Sequence, residues 1–243
     1  MLLALAAPLA ACGNGSPSGT AAAETKPARM TFEIVMLDDQ PDPFATLPPG
    51  APKGIAPFQE IVVLGPDAIE ARTFVRLVVQ PGETLAQAMT RAKPWFDAVQ
   101  LPPGDRLVFS QVKEENEVSK KLEPVGARTF IATDKVVLTR DDVADAAVGA
   151  IADPEGKPQA VVNIQLTPAA GERFRELTKA NVFRRLGVMI DGDVVMAARI
   201  QEEIQGGKIA VSLDPDIPYE ARRAELQRIA DGLKPAAPAA STK

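Results

Sequence analysis

Apolar and polar residues change period several times along the chain, and each change marks an element. Met30–Leu37 (Met-Thr-Phe-Glu-Ile-Val-Met-Leu) mixes alternation with β-branched residues and predicts a strand. Residues 41–57 then carry six prolines and two glycines, which forbids regular structure there. Ile61–Leu64 and Phe74–Val79 are short strand candidates. From Thr84 to Val99 the period lengthens: Leu85, Ala88, Met89, Ala92 and Phe96 share one helical face, with Pro94 expected to start a new turn or kink it. The turn Leu101-Pro-Pro-Gly-Asp105 leads into a strand over 106–112. The charged stretch 113–121 reads as a loop or hairpin tip, and a further strand follows over 128–133.

The second half is more sharply punctuated. Val136–Thr139 runs into Arg140-Asp-Asp142, where Thr139 is placed to cap a short helix with Asp142 as its capping-box partner. Strands over 148–152 and 159–166 flank Asp153-Pro-Glu-Gly156, a turn with proline second and glycine fourth. Thr167-Pro168 is a helix cap followed by proline at the first helical position. The helix it opens is expected to run to about Leu186, burying Ala170, Phe174, Leu177, one of Asn181 and Val182, and Leu186. Val188–Met196 is a hairpin whose Asp191-Gly192 suits a type I′ turn. A strand over 209–213 and a closing helix over Tyr219–Leu233, with Ala221, Ala224, Leu226, Ile229 and Leu233 inside, complete the body. Strands and helices joined by tight hairpins predict an α+β fold with a mostly antiparallel sheet.

The two ends read differently. Residues 2–11 form an apolar run of signal-peptide length ending in Leu9-Ala-Ala-Cys12, the pattern of a bacterial lipobox, so residues 1–11 are expected to be removed and the Cys12 thiol lipidated. No basic residue precedes Cys12, which places the expected start of the natural precursor a few residues upstream. Residues 12–29 are small and polar, a flexible tether, and residues 236–243 form a small-residue tail. Between them the body divides into an N-terminal part with the proline-rich insertion (30–135), a core segment (136–213) and the closing helix (214–235).

Composition narrows the chemistry. The 243 residues contain no histidine and one cysteine, which removes His-based acid–base catalysis, Ser–His and Cys–His pairs, and the usual zinc sites. A net charge of −5 argues against general nucleic-acid binding. Asp191-Gly-Asp193 is too thin for a hard cation that wants six oxygens, and Gly206-Gly207 lacks the helix and partners of a phosphate loop. Asp141-Asp142 is favourable charge at a helix start. Arg173, Arg175, Lys179, Arg184 and Arg185 give the 168–186 helix a basic face for water, anionic lipid or an acidic partner. Trp95 beside Pro94 belongs in a core or lines a groove. No catalytic, metal or cofactor residue is expected, and the candidate contact residues are Trp95, Arg184, Arg185, Asp191, Arg199 and Gln201.

The run Thr178-Lys-Ala-Asn-Val-Phe-Arg-Arg-Leu-Gly-Val-Met-Ile-Asp-Gly-Asp-Val-Val-Met-Ala-Ala-Arg-Ile-Gln-Glu-Glu-Ile-Gln-Gly-Gly-Lys-Ile209 resembles the head subdomain of the first periplasmic domain of the SecD/SecDF protein-export accessory family. So do Val137-Leu-Thr-Arg-Asp-Asp-Val-Ala-Asp-Ala146 and the strand over 158–166. The resemblance is strong over 137–213 and weak over 40–100, and it includes none of the family's membrane helices or their proton-coupling residues. It implies a SecDF-head-like fold and a non-enzymatic, periplasm-facing lipoprotein, held to the membrane by its lipid. Such a protein would contact export machinery or an exported polypeptide and assist translocation, without nucleic acid or cofactor. Gly13 after the cysteine favours the outer membrane. The alternative is an envelope-assembly or ligand-binding lipoprotein that reuses the head as a scaffold.

Overall fold

In the computed structural model of the chain, which describes residues 30–116, 119, 121–152, 156, 158–213 and 217–234, the first strand already has both faces covered. This strand, β1 (Phe32–Leu37), sends Phe32, Ile34 and Met36 into one apolar cluster and Val35 and Leu37 into another, which is why its sequence is nearly all apolar. Thirteen further regular segments follow: β2 (Ile55–Val63), β3 (Ile69–Val78), α1 (Leu85–Asp97), β4 (Asp105–Glu115), β5 (Leu122–Thr139), a 3₁₀ turn (Arg140–Asp142), β6 (Val143–Ala152), β7 (Pro158–Leu166), α2 (Pro168–Ala180), β8 (Arg185–Ile190), β9 (Asp193–Arg199), β10 (Lys208–Val211) and α3 (Tyr219–Leu233). The class is α+β, and every strand pair except β4–β9 is antiparallel.

Seven strands form one sheet in the order β1-β8-β9-β4-β5-β3-β2, and β1 also pairs with β5. That extra pairing closes β1, β8, β9, β4 and β5 into a small ring filled by Val35, Leu37, Val108, Phe130, Ala132, Met189 and Val194. The second sheet, β10-β7-β6, carries α3 on β6 and β7. The largest core lies between this layer, α2 and the outer faces of β1 and β8. A third core sits under α1, where Trp95, Phe96 and Phe44 pack on Val75 and Leu77 of β3.

Local signals account for the helix starts. Thr84 and Gln87 form a reciprocal capping box on α1, and Thr167 caps α2 ahead of Pro168. Thr139 and Asp142 frame the 3₁₀ turn as expected. Asp191 (φ 50°) and Gly192 (φ 87°) adopt the left-handed pair that a type I′ hairpin needs.

The structure departs from the sequence reading at several elements. Helix α2 ends at Ala180 rather than 186: Asn181 donates its amide to the Leu177 carbonyl at 2.9 Å and Phe183 turns left-handed (φ 75°). The following residues are apolar because β8 is buried on both faces, not because a helix continues. Strand β2 starts at Ile55, inside the proline-rich stretch. Val78 N–H bonds the Gly54 carbonyl while Ile55 N–H turns away to Pro52, so Pro57, in the same phase as Ile55, places its missing donor on the free edge. The strand expected over 128–133 is longer, β5, which runs on through Thr139 and is bent by register shifts against β1 as it passes from β4 to β1. Helix α3 has the expected span, but its buried face is Arg222, Leu226, Ile229, Ala230 and Leu233, which leaves Ala224 exposed. The 153–155 turn, Cys12, the tether and the C-terminal tail lie outside the described residues.

Candidate functional site

Strands β4 and β9 run parallel and meet at a single bridge, Phe109 with Asp193. β4 is paired along its other edge by β5, and β9 by β8. Successive residues of a strand direct their N–H and C=O groups to opposite edges. Beyond the bridge, therefore, each strand turns an edge with no strand partner among the described residues towards its neighbour. The two diverge into a fork, and Ser110–Lys113 on one prong and Val194–Ala197 on the other line a cleft of about 1100 Å³. Ala221, Ala224, Glu225 and Arg228 of α3 form a further wall, and Leu213, Ile217 and, from β5, Arg128 and Phe130 complete the lining.

Polar side chains span the cleft at two points. Gln111 Nε2 donates to the Asp193 carboxylate, and Lys113 Nζ reaches Glu225 of α3 at 3.8 Å. Burial pushes the Asp193 carboxyl above its ordinary range, a shift that the Gln111 bond and the Lys113 charge oppose and the neighbouring Asp191 reinforces. Glu225 is held below the usual carboxylate range, chiefly by Arg228, whose guanidinium donates to it at 2.8 and 2.9 Å. Apolar side chains, Val112, Val194, Met196, Leu213 and Ile217 among them, separate these groups. The arrangement offers an extended chain both backbone partners and apolar contacts. Among the described residues no group of three or more histidine, cysteine or carboxylate side chains is gathered to hold a metal.

The candidate contact residues separate in space. Asp191 lines the cleft and also ties the β8–β9 turn to the residue before β1, accepting a hydrogen bond from Thr31 N–H at 2.9 Å. Arg184, Arg185, Arg199 and Gln201 lie towards the opposite end of the β8–β9 pair, where Arg185 is in register with Arg199. Because α2 stops at Ala180, Arg184 and Arg185 form no helical basic face. Arg185, at the start of β8, points towards the ring core, with its side chain 10% exposed. Its Nε donates to Asp39 at 2.6 Å, a second nitrogen also bonds Asp39, and Nη1 reaches Glu60 at 3.3 Å. Its guanidinium lies 5.7 Å from the Phe74 ring and 5.6 Å from that of Phe130. Arg184 is more exposed, 4.0 Å from Asp38, and Arg199 and Gln201 are exposed. Trp95 is a core residue: it stacks on Phe44, and its Nε1 donates to the Pro48 carbonyl at 3.2 Å. Gln111, Lys113, Glu225 and Arg228 escaped the sequence reading because charged and amide residues on a strand end or an exposed helix face look like ordinary solvated positions.

Residues 108–216 match the SecDF P1 head subdomain. Over 75 residues the chain is 37% identical to the protein translocase subunit SecDF of Thermus thermophilus, covering 31% of this chain and 10% of that protein. It is 36% identical over 80 residues to the SecD subunit of Acidaminococcus fermentans (33% of this chain, 18% of that protein) and 32% identical over 107 residues to that of Aquifex aeolicus (41% and 21%). The chain thus spans between a tenth and about a fifth of the length of these relatives. Among solved structures, one of SecDF, described as a membrane component that enhances protein export, aligns over 84% of this chain and 92% of its own, with 21% identity and a TM-score of 0.33. A Thermus SecDF structure aligns over 84% of this chain and 29% of its own, with 18% identity and the same TM-score. The segment from β4 through β10, over residues 108–216, is thus similar to the SecDF P1 head subdomain.

Proposed function

We propose that this chain is a non-enzymatic, lipid-anchored protein of the cell envelope that faces the periplasm, binds extended polypeptide in the β4–β9 fork, and assists protein translocation. The fork carries the reading. It combines apolar walls with unpaired strand edges, and an extended polypeptide satisfies both at once by strand addition. Backbone pairing serves a client of any sequence, which suits a protein related to translocase subunits. Cys12 is the proposed lipid attachment point and residues 12–29 the tether. A tether of that length would reach roughly 20–25 Å, at ~5–6 Å times the square root of the length, and keep the body near its membrane. Gly13 favours the outer membrane. No helix among the described residues is long and apolar enough to cross a membrane, and the lipid supplies the attachment.

A photo-reactive amino acid at Ala197, exposed on the cleft-lining stretch of β9, tests the assignment against a permanently unfolded, carboxymethylated polypeptide. Adducts are expected from position 197 and not from Arg199 beyond the cleft. Ala224→Asp, which plants a charge on the α3 wall, should reduce them. Equal labelling from both positions, or adducts unaffected by Ala224→Asp, would refute the fork as the binding site.

A further inference from the structure

We infer that a second cavity, between α1 and β4, binds the alkyl chain of a single-chain amphiphile whose carboxylate is taken by Lys93, a fatty acid being the simplest such ligand. The cavity, open on one side, has a volume of about 530 Å³, inside the roughly 300–1,000 Å³ range of small-molecule sites. Apart from Phe109 its lining lies outside residues 108–216, so the site belongs to this chain's own N-terminal elaboration and does not depend on the polypeptide reading.

Phe96 and Val99 are buried at its base, whereas Met89, Leu101, Leu107 and Phe109 are half-buried and turn apolar surface into the space. Phe109 meets Phe96 edge-on at 4.9 Å, so the wall is packed rather than collapsed. The polar lining residues, Thr90, Lys93 and Asp97, share one face of α1. The Thr90 hydroxyl is already donated to the Ala86 carbonyl at 2.9 Å. A ligand with several polar groups would leave them unsatisfied inside, and an unbranched hydrocarbon chain would not.

Charge fixes the other end. Lys93 Nζ lies 2.7 Å from Asp97, and the two side chains are 70% and 58% exposed. Lysine four residues ahead of aspartate is the weaker orientation of a helical pair, and so exposed a pair contributes little. The ammonium can therefore exchange Asp97 for an incoming carboxylate, while Asp97 stays hydrated. The head is assigned to Lys93 because, among the described residues, it is the one cationic side chain lining the cavity.

The sole tryptophan, Trp95, reports on the site, since its ring lies 5.2 Å from that of Phe96. Bromine-tagged dodecanoate, titrated below its micelle concentration, should quench Trp95 saturably at one molecule per chain. Lys93→Glu should weaken dodecanoate by about ten-fold, the value of one charge-assisted contact, and leave dodecanol little changed. Met89→Glu should abolish both; because Lys93 is exposed, its variant reports even where Met89→Glu does not fold. Absence of saturable quenching, equal weakening of acid and alcohol by Lys93→Glu, or unaltered binding in a folded Met89→Glu protein would each overturn the proposal.

Discussion

Replacing Arg185 by alanine should destabilise the whole body, although a sequence reader would place this arginine on a solvated surface. Its counterion Asp39 has a side chain only 9% exposed, and the variant leaves that carboxylate buried with no guanidinium. Removing one partner of a buried pair costs about 3–5 kcal/mol, because the remaining charge has lost both water and counterion. Lost stacking over Phe74 and Phe130 adds about 0.5–1 kcal/mol per ring. Against a total stability of roughly 5–15 kcal/mol this is a large share. In melting temperature the sum of about 4–7 kcal/mol corresponds to a fall of roughly 8–28 °C, at about 2–4 °C per kcal/mol for a body of this size. Urea unfolding followed by Trp95 fluorescence and far-ultraviolet circular dichroism measures it. Arg184→Ala is the internal control: that side chain is 43% exposed, 4.0 Å from Asp38, and should cost about 0–1 kcal/mol. Combining Arg185→Met with Asp39→Leu should recover much of the loss, since an apolar replacement of both partners leaves no orphaned charge. A loss below about 1 kcal/mol for Arg185→Ala would refute the claim that the pair is a buried structural element.

Asp193→Asn should change the pH dependence of stability. A carboxyl whose pKa is raised in the folded protein binds its proton more tightly there than in the unfolded chain. It therefore disfavours folding as pH climbs from the ordinary aspartate value of about 3.9 through the raised one. The variant should gain stability over wild type near pH 7 and lose that gain near pH 4; unfolding midpoints that run parallel at both pH values would contradict it. Gly126→Ala should cost about 1–3 kcal/mol, because the new methyl would clash with the Leu77 carbonyl oxygen, a backbone atom held in the β3–β5 pairing. A denaturation midpoint equal to wild type would count against that packing. Cys12→Ser should move the protein from the membrane to the soluble fraction, and unchanged partitioning would remove the lipid anchor from the proposal.

Periodicity and punctuation in the sequence determined the local structure of this chain. Thr84, Thr167-Pro168 and Asp191-Gly192 each specify their helix start or turn through a bond or a backbone angle made within a few residues, so no distant contact is needed to recognise them. The α+β class and the likeness over 178–209 were legible for the same reason, being carried by short ordered patterns. What lies on both sides of an element was not. The pair Leu186-Gly187, ahead of the hairpin expected from Val188, has the same composition whether it ends a helix or starts a strand covered on both faces. Only its pairing with β1 and β9 decided the matter. The status of Arg185 depended on Asp39 and Glu60, each more than 120 positions away. The fork was equally invisible: β4 and β9 are separated by more than 75 residues, and their single bridge arises because β5 returns to pair with β1 and closes the ring. Local hydrogen bonds are written in neighbouring residues. A cleft made by two strands that meet once and part exists only after the chain has closed on itself.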